Sequence, residues 1–513
     1  MFVYDCGASK NPICQKDSRA EVAELSFINW GRCQMGTTQN TKLFIDGKWR
    51  HSSDGTVIDV INPATEEVVG TVAKATINDL NDALLAAEKG FEIWKTTSPF
   101  DRYKILRRAA DLLRHKAPQI APLMTIEQGK PLAEANAEIA VGADRIDWMA
   151  EEGRRTYGRV IPARATHVTQ FTVKEPVGPV AAFTPWNFPL NQILQKMPAA
   201  LAAGCSIIVK APEEAPACCA LLFEAFEEAG VPEGVISLIF GIPSEISNHL
   251  ISSPIIKKIT FTGSTSVGKL LAAKAGEHMK LATMELGGHA PAIVFDDADI
   301  QAAADILASN KFRNAGQVCI SPTRFLVHEK IYEDFLERFM KNAKAVKVGD
   351  GLTSDTTMGP LAHERRLKAM DTFVADAISK GAEVKFGGNR VGNKGYFYSP
   401  TILTNVSRDS LIMNEEPFGP LAPISKFTEL EEAVREANRL PYGLASYAYT
   451  SSASVASALG DKIRSGMVSI NHHGLALPET PFGGISDSGY GNEGGAEGIE
   501  PYQQTKFVTQ SNV

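Results

Sequence analysis

Apolar and polar positions alternate along the chain in two ways, one typical of helices and one of short buried strands. Residues 83–91 and 102–115 place apolar side chains three to four positions apart with charged residues between them, which predicts amphipathic helices. Further along, short β-branched runs alternate with helical segments. We predict strands at 180–183, 206–209, 235–240, 259–262 and 323–327, and helices over 199–203, 217–229, 270–275 and 331–345. Such alternation indicates a parallel, doubly wound sheet, so the predicted fold class is α/β.

Composition leaves this prediction unchanged but excludes several classes of function. At 513 residues, 44% of them hydrophobic, the chain is too long for one core and should divide into two or three domains. A net charge of −7 and the lack of a basic run argue against a nucleic-acid partner. No apolar run approaches the roughly 18 residues of a membrane-spanning helix. The seven cysteines form an odd set without framework spacing, which is typical of free thiols and predicts a cytoplasmic location.

The first 41 residues differ from the rest of the chain. They contain three of the seven cysteines, show no clean periodicity and precede the first strand-and-turn pattern, at 43–47. They lack the apolar core of a secretory signal and the Arg- and Ser-rich composition of a mitochondrial presequence. We interpret residues 1–41 as an N-terminal extension and Met35 as an alternative translation start, in which case residues 1–34 are not native.

Two glycine-rich segments are candidates for a dinucleotide-binding turn. Residues 489–494 match the pattern G-x-G-x-x-G, but no strand leads into them and no periodic helix follows, so we interpret them as a loop. In residues 261–269 a strand runs into glycines and then into a helix. Backbone N–H groups at such a helix start can bind a pyrophosphate, although an ordinary tight turn would have the same pattern.

A cysteine and a glutamate supply the candidate chemistry. Cys319 ends the small polar turn 312–319, and Glu285 lies upstream in the segment 284–288. A thiol can capture a carbonyl carbon, and a carboxylate can activate water against the resulting thioester. Most cysteines of a soluble chain are small buried hydrophobes, so the pair gains weight only beside a dinucleotide site.

Six motifs in the order found in one family strengthen this hypothesis. They are PWNFP at 185–189, FTGS at 261–264, MELGG at 284–288, GQVC at 316–319, NEEPFGP at 414–420 and PFGG at 481–484. Over residues 42–510 the chain resembles the NAD(P)-dependent aldehyde dehydrogenases, and among them the bacterial succinate-semialdehyde and 2-oxoglutarate-semialdehyde (2,5-dioxopentanoate) dehydrogenases. The resemblance implies the aldehyde dehydrogenase fold, with a Rossmann-like cofactor domain, an α/β catalytic domain and a β oligomerisation arm.

The same resemblance implies a role for each reactive group. Cys319 would attack the aldehyde as a thiolate and form a thiohemiacetal, while the side-chain amide of Asn187 and the backbone N–H of Cys319 would stabilise the oxyanion. Hydride transfer to a nicotinamide would leave a thioester, which Glu285 would hydrolyse by activating water. Without the motifs, Asn187 would be interpreted as a helix cap and Glu285 as a surface residue at a strand end.

An NAD site is also implied. Lys210 and Glu213 would lie beside the adenosine ribose, where a carboxylate accepts hydrogen bonds from hydroxyls and repels a 2′-phosphate. NAD is therefore favoured, while the nearby Lys210 leaves NADP open. The other predicted cofactor contacts, which could instead be core or loop residues, are Thr184, Trp186, Gly263, Ser264, Gly268, Glu416 and Phe418. No metal site is predicted.

Departures from the family pattern affect the predicted substrate. Enzymes of the succinate type hold the distal carboxylate with two arginines and a serine. Arg313 matches one arginine, although a structural salt bridge is the alternative, and Gln195 replaces the other. The serine region is the largely apolar segment 475–479, from which we predict Leu477 as a contact. Succinate semialdehyde is the favoured substrate, with 2-oxoglutarate semialdehyde or a longer, more apolar aldehyde as alternatives.

Two other classes of protein fit the sequence less well. A CoA-acylating aldehyde dehydrogenase shares the cysteine but generally lacks the glutamate base. A non-catalytic binding relative would be expected to lose Cys319, Glu285 or Asn187, and all three are present.

The resemblance also divides the chain. Residues 42–156 and 177–286 would form the cofactor domain, and 287–480 the catalytic domain. A predicted hairpin at 157–176 and the segment 481–513 would form the oligomerisation arm and C-terminal segment. The hairpin's second half alternates polar and apolar residues, as a half-exposed strand does. Because its free edge needs a partner, we expect a homodimer or homotetramer.

Overall fold

Strands and helices alternate over most of the chain in this computed structural model, which describes residues 39–511. The helices are α1 (Ile77–Trp94), α2 (Pro99–Gln128), α3 (Leu132–Glu152), α4 (Pro189–Leu194), α5 (Met197–Ala203), α6 (Pro216–Ala229), α7 (Pro243–Ser252), α8 (Thr265–Glu277), α9 (Ile300–Phe312), α10 (Tyr332–Ala345), α11 (Glu364–Ser379), α12 (Leu411–Asn414), α13 (Leu430–Ala437) and α14 (Ala453–Lys462). The prediction for residues 1–41 falls outside the described range, apart from the last three residues.

The strands belong to two large sheets and several small ones. They are β1 (Gln39–Thr41), β2 (Leu43–Ile45), β3 (Lys48–Arg50), β4 (Val57–Ile61), β5 (Val68–Ala73), β6 (Arg159–Ile161), β7 (Val168–Pro176), β8 (Val180–Phe183), β9 (Ile207–Lys210), β10 (Ile236–Ile239), β11 (Lys258–Thr262), β12 (Leu281–Glu285), β13 (Ala290–Val294), β14 (Pro322–His328), β15 (Glu383–Phe386), β16 (Thr401–Thr404), β17 (Leu421–Phe427), β18 (Tyr442–Gly443), β19 (Ala445–Tyr449), β20 (Met467–Ile470), β21 (Ile485–Ser486), β22 (Gly489–Tyr490) and β23 (Gln503–Ser511).

An eight-stranded sheet brings together the residues that follow its strands. Its order is β22-β12-β11-β8-β9-β10-β2-β3, and the five strands from β12 to β10 are parallel. Thr262 pairs with Glu285, and Phe183 pairs with Lys210, so the carboxyl ends of these strands meet at one edge. The direction of strand order reverses between β8 and β11, which is where ligands bind in open α/β sheets.

A seven-stranded sheet carries the segments around Cys319 and Phe418. Its order is β15-β16-β17-β14-β13-β19-β20, and β14 begins three residues after Cys319. Most of the buried apolar residues form two large clusters, one that accompanies the first sheet, drawn mainly from residues 43–286, and one that accompanies this sheet, from residues 290–482. A third, smaller cluster from residues 293–463 also accompanies this sheet. The apolar core therefore divides just after the segment that contains Glu285.

The three-stranded antiparallel sheet β23-β7-β6 shares no strand pairing with the two large sheets within residues 39–511. The predicted hairpin is present as β6 and β7, and β7 pairs with β23 along nine residues. Val160 on the outer strand β6 is 84% exposed.

Helix α2 is longer than its sequence pattern predicts. The predicted helix ends at His115, but α2 continues through Pro118 and Pro122 to Gln128. Proline removes one backbone donor and usually ends a helix. Here α2 packs along α3 and α6, and burial of its far end at Ile120 and Met124 outweighs the lost bonds. Across residues 39–511, no helix combines the length and apolar character needed to cross a membrane.

Candidate active site

A strained turn presents Cys319. The 3₁₀ helix Arg313–Gly316 follows α9, and Asn314, Ala315 and Gly316 have φ values of 48°, 52° and 72°. Left-handed backbone costs a residue with a Cβ about 1 kcal/mol or more, so tertiary contacts must hold this turn. At Gly316 a Cβ would lie 2.1 Å from the carbonyl oxygen of Gly419, which only glycine permits.

Two buried amide side chains supply those contacts. Asn314 donates from Nδ2 to the carbonyl oxygen of Asn187 at 2.8 Å and accepts from Gln128 Nε2 at 3.0 Å. Gln317 donates to the carbonyl oxygen of Asn314 and accepts the N–H of Ala362. Neither Asn314 nor Gln317 was predicted as a functional residue. The sequence pattern that could have indicated their role is a pair of amide side chains next to a glycine, in a turn of otherwise small residues.

Two cavities meet at the thiol of Cys319. One, of about 470 Å³, contains Trp186, Asn187, Glu416 and Phe418 in its wall. The other, of about 180 Å³, is mostly apolar and contains Arg313 and Gln195. Cys319 is half-buried and lines both. A molecule in each cavity would therefore reach the same sulfur atom from two sides.

A groove of about 760 Å³ continues the larger cavity across the edge of the eight-stranded sheet. Trp186, Gly263 and Ser264 line both spaces, and Thr184, Lys210 and Glu213 line the groove alone. The structure therefore brings together every predicted cofactor contact except Gly268. A Cβ on Gly268 would lie 2.2 Å from Leu286, so that glycine permits close packing of α8 on the strand end and does not face the groove.

The groove has the groups that a dinucleotide requires. Glu213 accepts the side-chain amine of Lys210 at 2.7 Å and the N–H of Gly241 at 2.8 Å, so its carboxylate is fixed in place. Helix α8 begins at Thr265 beside the groove and has no side-chain cap, which leaves N–H groups for an anion. Gly287 leaves space beside Glu416, since a Cβ on residue 287 would lie 2.6 Å from the carboxylate of Glu416. These residues fit NAD(P).

Glu285 ends β12 in a fully dry position. It is 2% exposed, and neither carboxylate oxygen has a hydrogen-bond partner among residues 39–511. Burial and the nearby carboxylate of Glu493 raise its pKa well above the ordinary value, and Lys196 opposes that shift. Lys196 donates to Glu493 at 2.5 Å and to Thr262 at 2.6 Å. Burial in this position therefore favours the uncharged form of the Glu285 carboxyl.

The glycine-rich segment 489–494 packs against the strand that carries Glu285. Strand β22 pairs with β12, and a Cβ on Gly489 would lie 1.8 Å from the carbonyl oxygen of Met284. Its glycines thus permit close backbone approach, and the segment brings Glu493 to Lys196. Lys196 and Glu493 were not predicted from the sequence, because the two lie 297 residues apart.

The thiol of Cys319 is also held in its uncharged form. Burial and the carboxylates of Glu416 and Glu285 raise the pKa of Cys319 to about 12. Glu416 accepts the N–H of Gly288 at 3.2 Å, and burial raises its own pKa to about 7.

Asn187 is fixed by an ion pair beneath it. Its side-chain Nδ2 donates to the carbonyl oxygen of Gln317 at 3.0 Å, which leaves the second amide hydrogen free. The buried Lys130 donates to the backbone oxygen of Asn187 at 2.9 Å and to Glu138 at 2.5 Å. Glu138 in turn accepts the N–H groups of Leu190 and Asn191.

The smaller cavity contains most, but not all, of the predicted substrate contacts. Arg313 is exposed there, and its guanidinium lies 5.5 Å above the ring of Phe188 and has no hydrogen bond or ion pair to any described residue. Gln195 also lines the cavity. Leu477 does not: it is 46% exposed, and its neighbour Ala476 lines the cavity instead, because successive side chains of this loop face different ways.

A second guanidinium in this cavity was missed from the sequence. Arg145 on α3 is 5% exposed and lines the cavity with Glu138 and Val141. The three residues are spaced three and four apart, so they share one helix face. This spacing is the sequence pattern that could have placed Arg145 on the same helix face as Glu138.

Comparisons with known proteins show which family this chain is similar to. The model of the aldehyde dehydrogenase family matches residues 49–508. The 4-(hydroxymethyl)benzenesulfonate dehydrogenase TsaD1 of Comamonas testosteroni is 45% identical over 91% of this chain and 97% of its own. The mitochondrial succinate-semialdehyde dehydrogenase of Arabidopsis thaliana is 42% identical over 91% of this chain and 89% of its own. The crystal structure of succinate-semialdehyde dehydrogenase from Burkholderia pseudomallei is 41% identical, covers 92% of this chain and 98% of its own, and matches with a TM-score of 0.90. The predicted family and fold are confirmed: this chain belongs to the aldehyde dehydrogenase family.

Proposed function

We propose that this enzyme oxidises an aldehyde with a distal carboxylate, succinate semialdehyde foremost, to the corresponding acid with NAD. The observation that carries the proposal is the position of Cys319 between a dinucleotide-sized groove and a cavity with an unpaired guanidinium, that of Arg313. A guanidinium binds a carboxylate by two parallel hydrogen bonds. The names of relatives such as the Arabidopsis enzyme support the same substrate class.

In the proposed mechanism Cys319 is the nucleophile. The thiol proton passes to water as Sγ bonds to the aldehyde carbon, and the carbonyl oxygen becomes an oxyanion that the free amide hydrogen of Asn187 and the backbone N–H of Cys319 stabilise. The aldehyde hydrogen then leaves as hydride, for which NAD would supply the acceptor when bound, and the oxyanion re-forms a carbonyl, so that the carbon remains on Sγ as a thioester. Glu285, as its carboxylate, takes a proton from water while the water oxygen bonds to the acyl carbon. The C–S bond then breaks, the acid leaves, and Sγ regains a proton from Glu285.

We propose NAD as the preferred nucleotide because of Glu213. Lys210 is its ion-pair partner and Gly241 donates to its other oxygen, so the attraction of Lys210 for a 2′-phosphate is largely offset by Glu213. The carboxylate oxygens of Glu213 can accept hydrogen bonds from ribose hydroxyls and would repel a phosphate.

A second candidate is an anionic aldehyde with a larger apolar body. The cavity lacks an arginine at position 195, and its walls include Phe188, Val318, Ile320 and Phe482. The name of the 45% identical relative from Comamonas specifies a sulfonate on a benzene ring.

The remaining assignments are proposals of the same kind. The division of the apolar core after Glu285 supports a cofactor domain of residues 42–156 and 177–286 and a catalytic domain of 287–480. The sheet β23-β7-β6 supports an arm that joins subunits. The four free thiols of the described range support a reducing compartment such as the cytoplasm.

The test is NADH formation without CoA. The panel contains succinate, glutarate and 2-oxoglutarate semialdehydes, 4-formylbenzenesulfonate and benzaldehyde, each with NAD and NADP. We expect the highest kcat/KM with succinate semialdehyde and NAD, and a loss of more than roughly a thousandfold in Cys319→Ala. Quenching of tryptophan fluorescence by NAD serves as the control that this variant still binds nucleotide. Unchanged turnover in Cys319→Ala would reject the mechanism, and a uniform response to charged and neutral aldehydes would reject the substrate class.

A further inference from the structure

The cavity beside Cys319 contains two guanidinium groups. Arg313 stands free in it, as described above. Arg145 enters from helix α3 and makes one hydrogen bond to the protein, from Nη2 to the carbonyl oxygen of Ala476 at 2.9 Å. Its Nε is buried and has no partner within residues 39–511.

The carboxylates near Arg145 are already bound to other groups. Glu138 accepts Lys130 and two backbone N–H groups, and Glu493 accepts Lys196. Neither forms an ion pair with Arg145. A buried guanidinium without a carboxylate partner is costly, and buried charges are usually paired with an opposite charge.

The other buried cations near these residues are already paired, Lys130 with Glu138 and Lys196 with Glu493. Arg145 and Arg313 are the two cations in the wall of the cavity, and neither forms an ion pair within residues 39–511. The carboxylates of Glu134 and Glu138 also line the cavity, and both accept backbone N–H groups. The two guanidinium groups can therefore bind an anion that enters the cavity.

We propose that Arg145 and Arg313 together hold the distal oxyanion of the substrate, Arg145 standing in for the arginine that Gln195 replaces. The inference rests on the proposed function and specifies its substrate class: an aldehyde whose carboxylate or sulfonate is separated from the carbonyl by an apolar body. Phe188, Ile320 and Phe482 line the same cavity as the two arginines and Cys319, and this apolar lining fits that body.

Arg145 has one structural contact that a test must separate from substrate binding. By donating to Ala476, it also holds the loop 475–480 beside the cavity. If that were its only role, removing the guanidinium would affect every aldehyde alike. If it binds the substrate anion, only charged aldehydes would be affected.

The experiment measures KM and kcat for matched pairs of aldehydes with NAD. The charged members are succinate semialdehyde, 4-carboxybenzaldehyde and 4-formylbenzenesulfonate, and the neutral members are butanal and 4-methylbenzaldehyde. The variants are Arg145→Met, Arg145→Lys and Arg313→Met. Arg108→Met, on the exposed face of α2, is the control for loss of an arginine.

We expect Arg145→Met and Arg313→Met each to raise KM for charged aldehydes by roughly 10- to 100-fold, because each variant loses one charge-assisted interaction. KM for neutral aldehydes should stay within about threefold of the wild-type value. The charged group with the lower wild-type KM, carboxylate or sulfonate, identifies the natural acid. An equal rise for charged and neutral aldehydes, or no rise in Arg145→Met, would overturn the inference.

A second variant keeps the inference testable if Arg145→Met does not fold. Arg145→Lys retains the charge but not the planar fork, so KM for charged aldehydes should rise less, and neutral substrates should be unaffected. No change for either kind would reject a role for Arg145. Wild-type enzyme that oxidises no aldehyde would reject the proposed function and this inference with it. Wild-type preference for charged aldehydes that survives Arg145→Met would reject only this inference.

Discussion

The surroundings of Cys319, the proposed nucleophile, oppose its reactive form. A thiol attacks as the thiolate, yet burial and two carboxylates raise the pKa of this thiol to about 12. In the state described here the thiol is therefore protonated at neutral pH. Such a thiol resists oxidation and alkylation until a change in local charge favours the thiolate.

Glu416 is the charged group with the largest effect on that thiol. Replacing it by Glu416→Gln removes a negative charge, so the pKa of Cys319 should fall and more thiolate should exist at any pH below it. We expect alkylation of Cys319 by iodoacetamide, without cofactor, to become roughly three- to tenfold faster at a fixed pH of about 9, where Glu416, whose pKa is about 7, is ionised in the wild type. The rate should rise with pH in both proteins, and the profile of the variant should lie at lower pH.

The exposed neighbour Glu415 provides the control. Glu415→Gln removes the same charge outside the cleft and should leave the alkylation rate of Cys319 unchanged. Equal rates for wild type and Glu416→Gln, measured by mass spectrometry of the Cys319 peptide, would contradict the assignment of Glu416 as the group that suppresses the thiolate.

At the scale of elements, a buried ion pair links helix α3 to the turn that carries Asn187. Lys130 precedes α3, Glu138 lies within it, and both side chains are fully buried. Because Glu138 also accepts the first N–H groups of α4, the pair fixes the position of Asn187 from both sides.

Breaking this pair should affect stability and catalysis together. Lys130→Met leaves Glu138 charged and buried, which should lower the free energy of unfolding by about 3 to 5 kcal/mol. It also removes one of the two donors to the backbone oxygen of Asn187, leaving only Asn314, so kcat should fall. The double variant Lys130→Met/Glu138→Gln removes the stranded charge and should recover much of the stability but little of kcat. Urea unfolding and NADH formation measure the two effects, and equal stability of both variants would contradict this account.

The same elements show what the sequence could predict. Strands such as β8 and β9 are continuous buried apolar runs, so their local pattern identifies them, and the motifs around Glu285 and Cys319 identify the candidate chemistry. The pairs that support this chemistry are not local. Lys196 and Glu493 are 297 residues apart, and nothing in the spacing around either indicates the other. Arg145 was missed because, without the cavity, a basic residue on a helix is interpreted as solvated.

At the scale of the whole molecule, the proposed oligomerisation arm is a part of the described chain with an open strand edge. Strand β6 is the outer strand of the sheet β23-β7-β6, and its central residue Val160 is 84% exposed. An exposed β-branched residue on an open strand edge is a template for pairing with another chain. The cavities around Cys319 contain no residue of this sheet, so assembly and chemistry should be separable.

A charge at this edge tests whether the arm joins subunits. By size-exclusion chromatography with light scattering, the wild-type mass should be two or four times that of the 55.4 kDa chain. Val160→Glu should reduce it to a smaller multiple, because a carboxylate at the strand edge opposes pairing. Val160→Thr, which keeps the β-branched shape, should retain the wild-type mass. Turnover per chain should be similar in all three proteins. A monomeric wild type, or an unchanged mass in Val160→Glu, would show that subunits do not join through this edge.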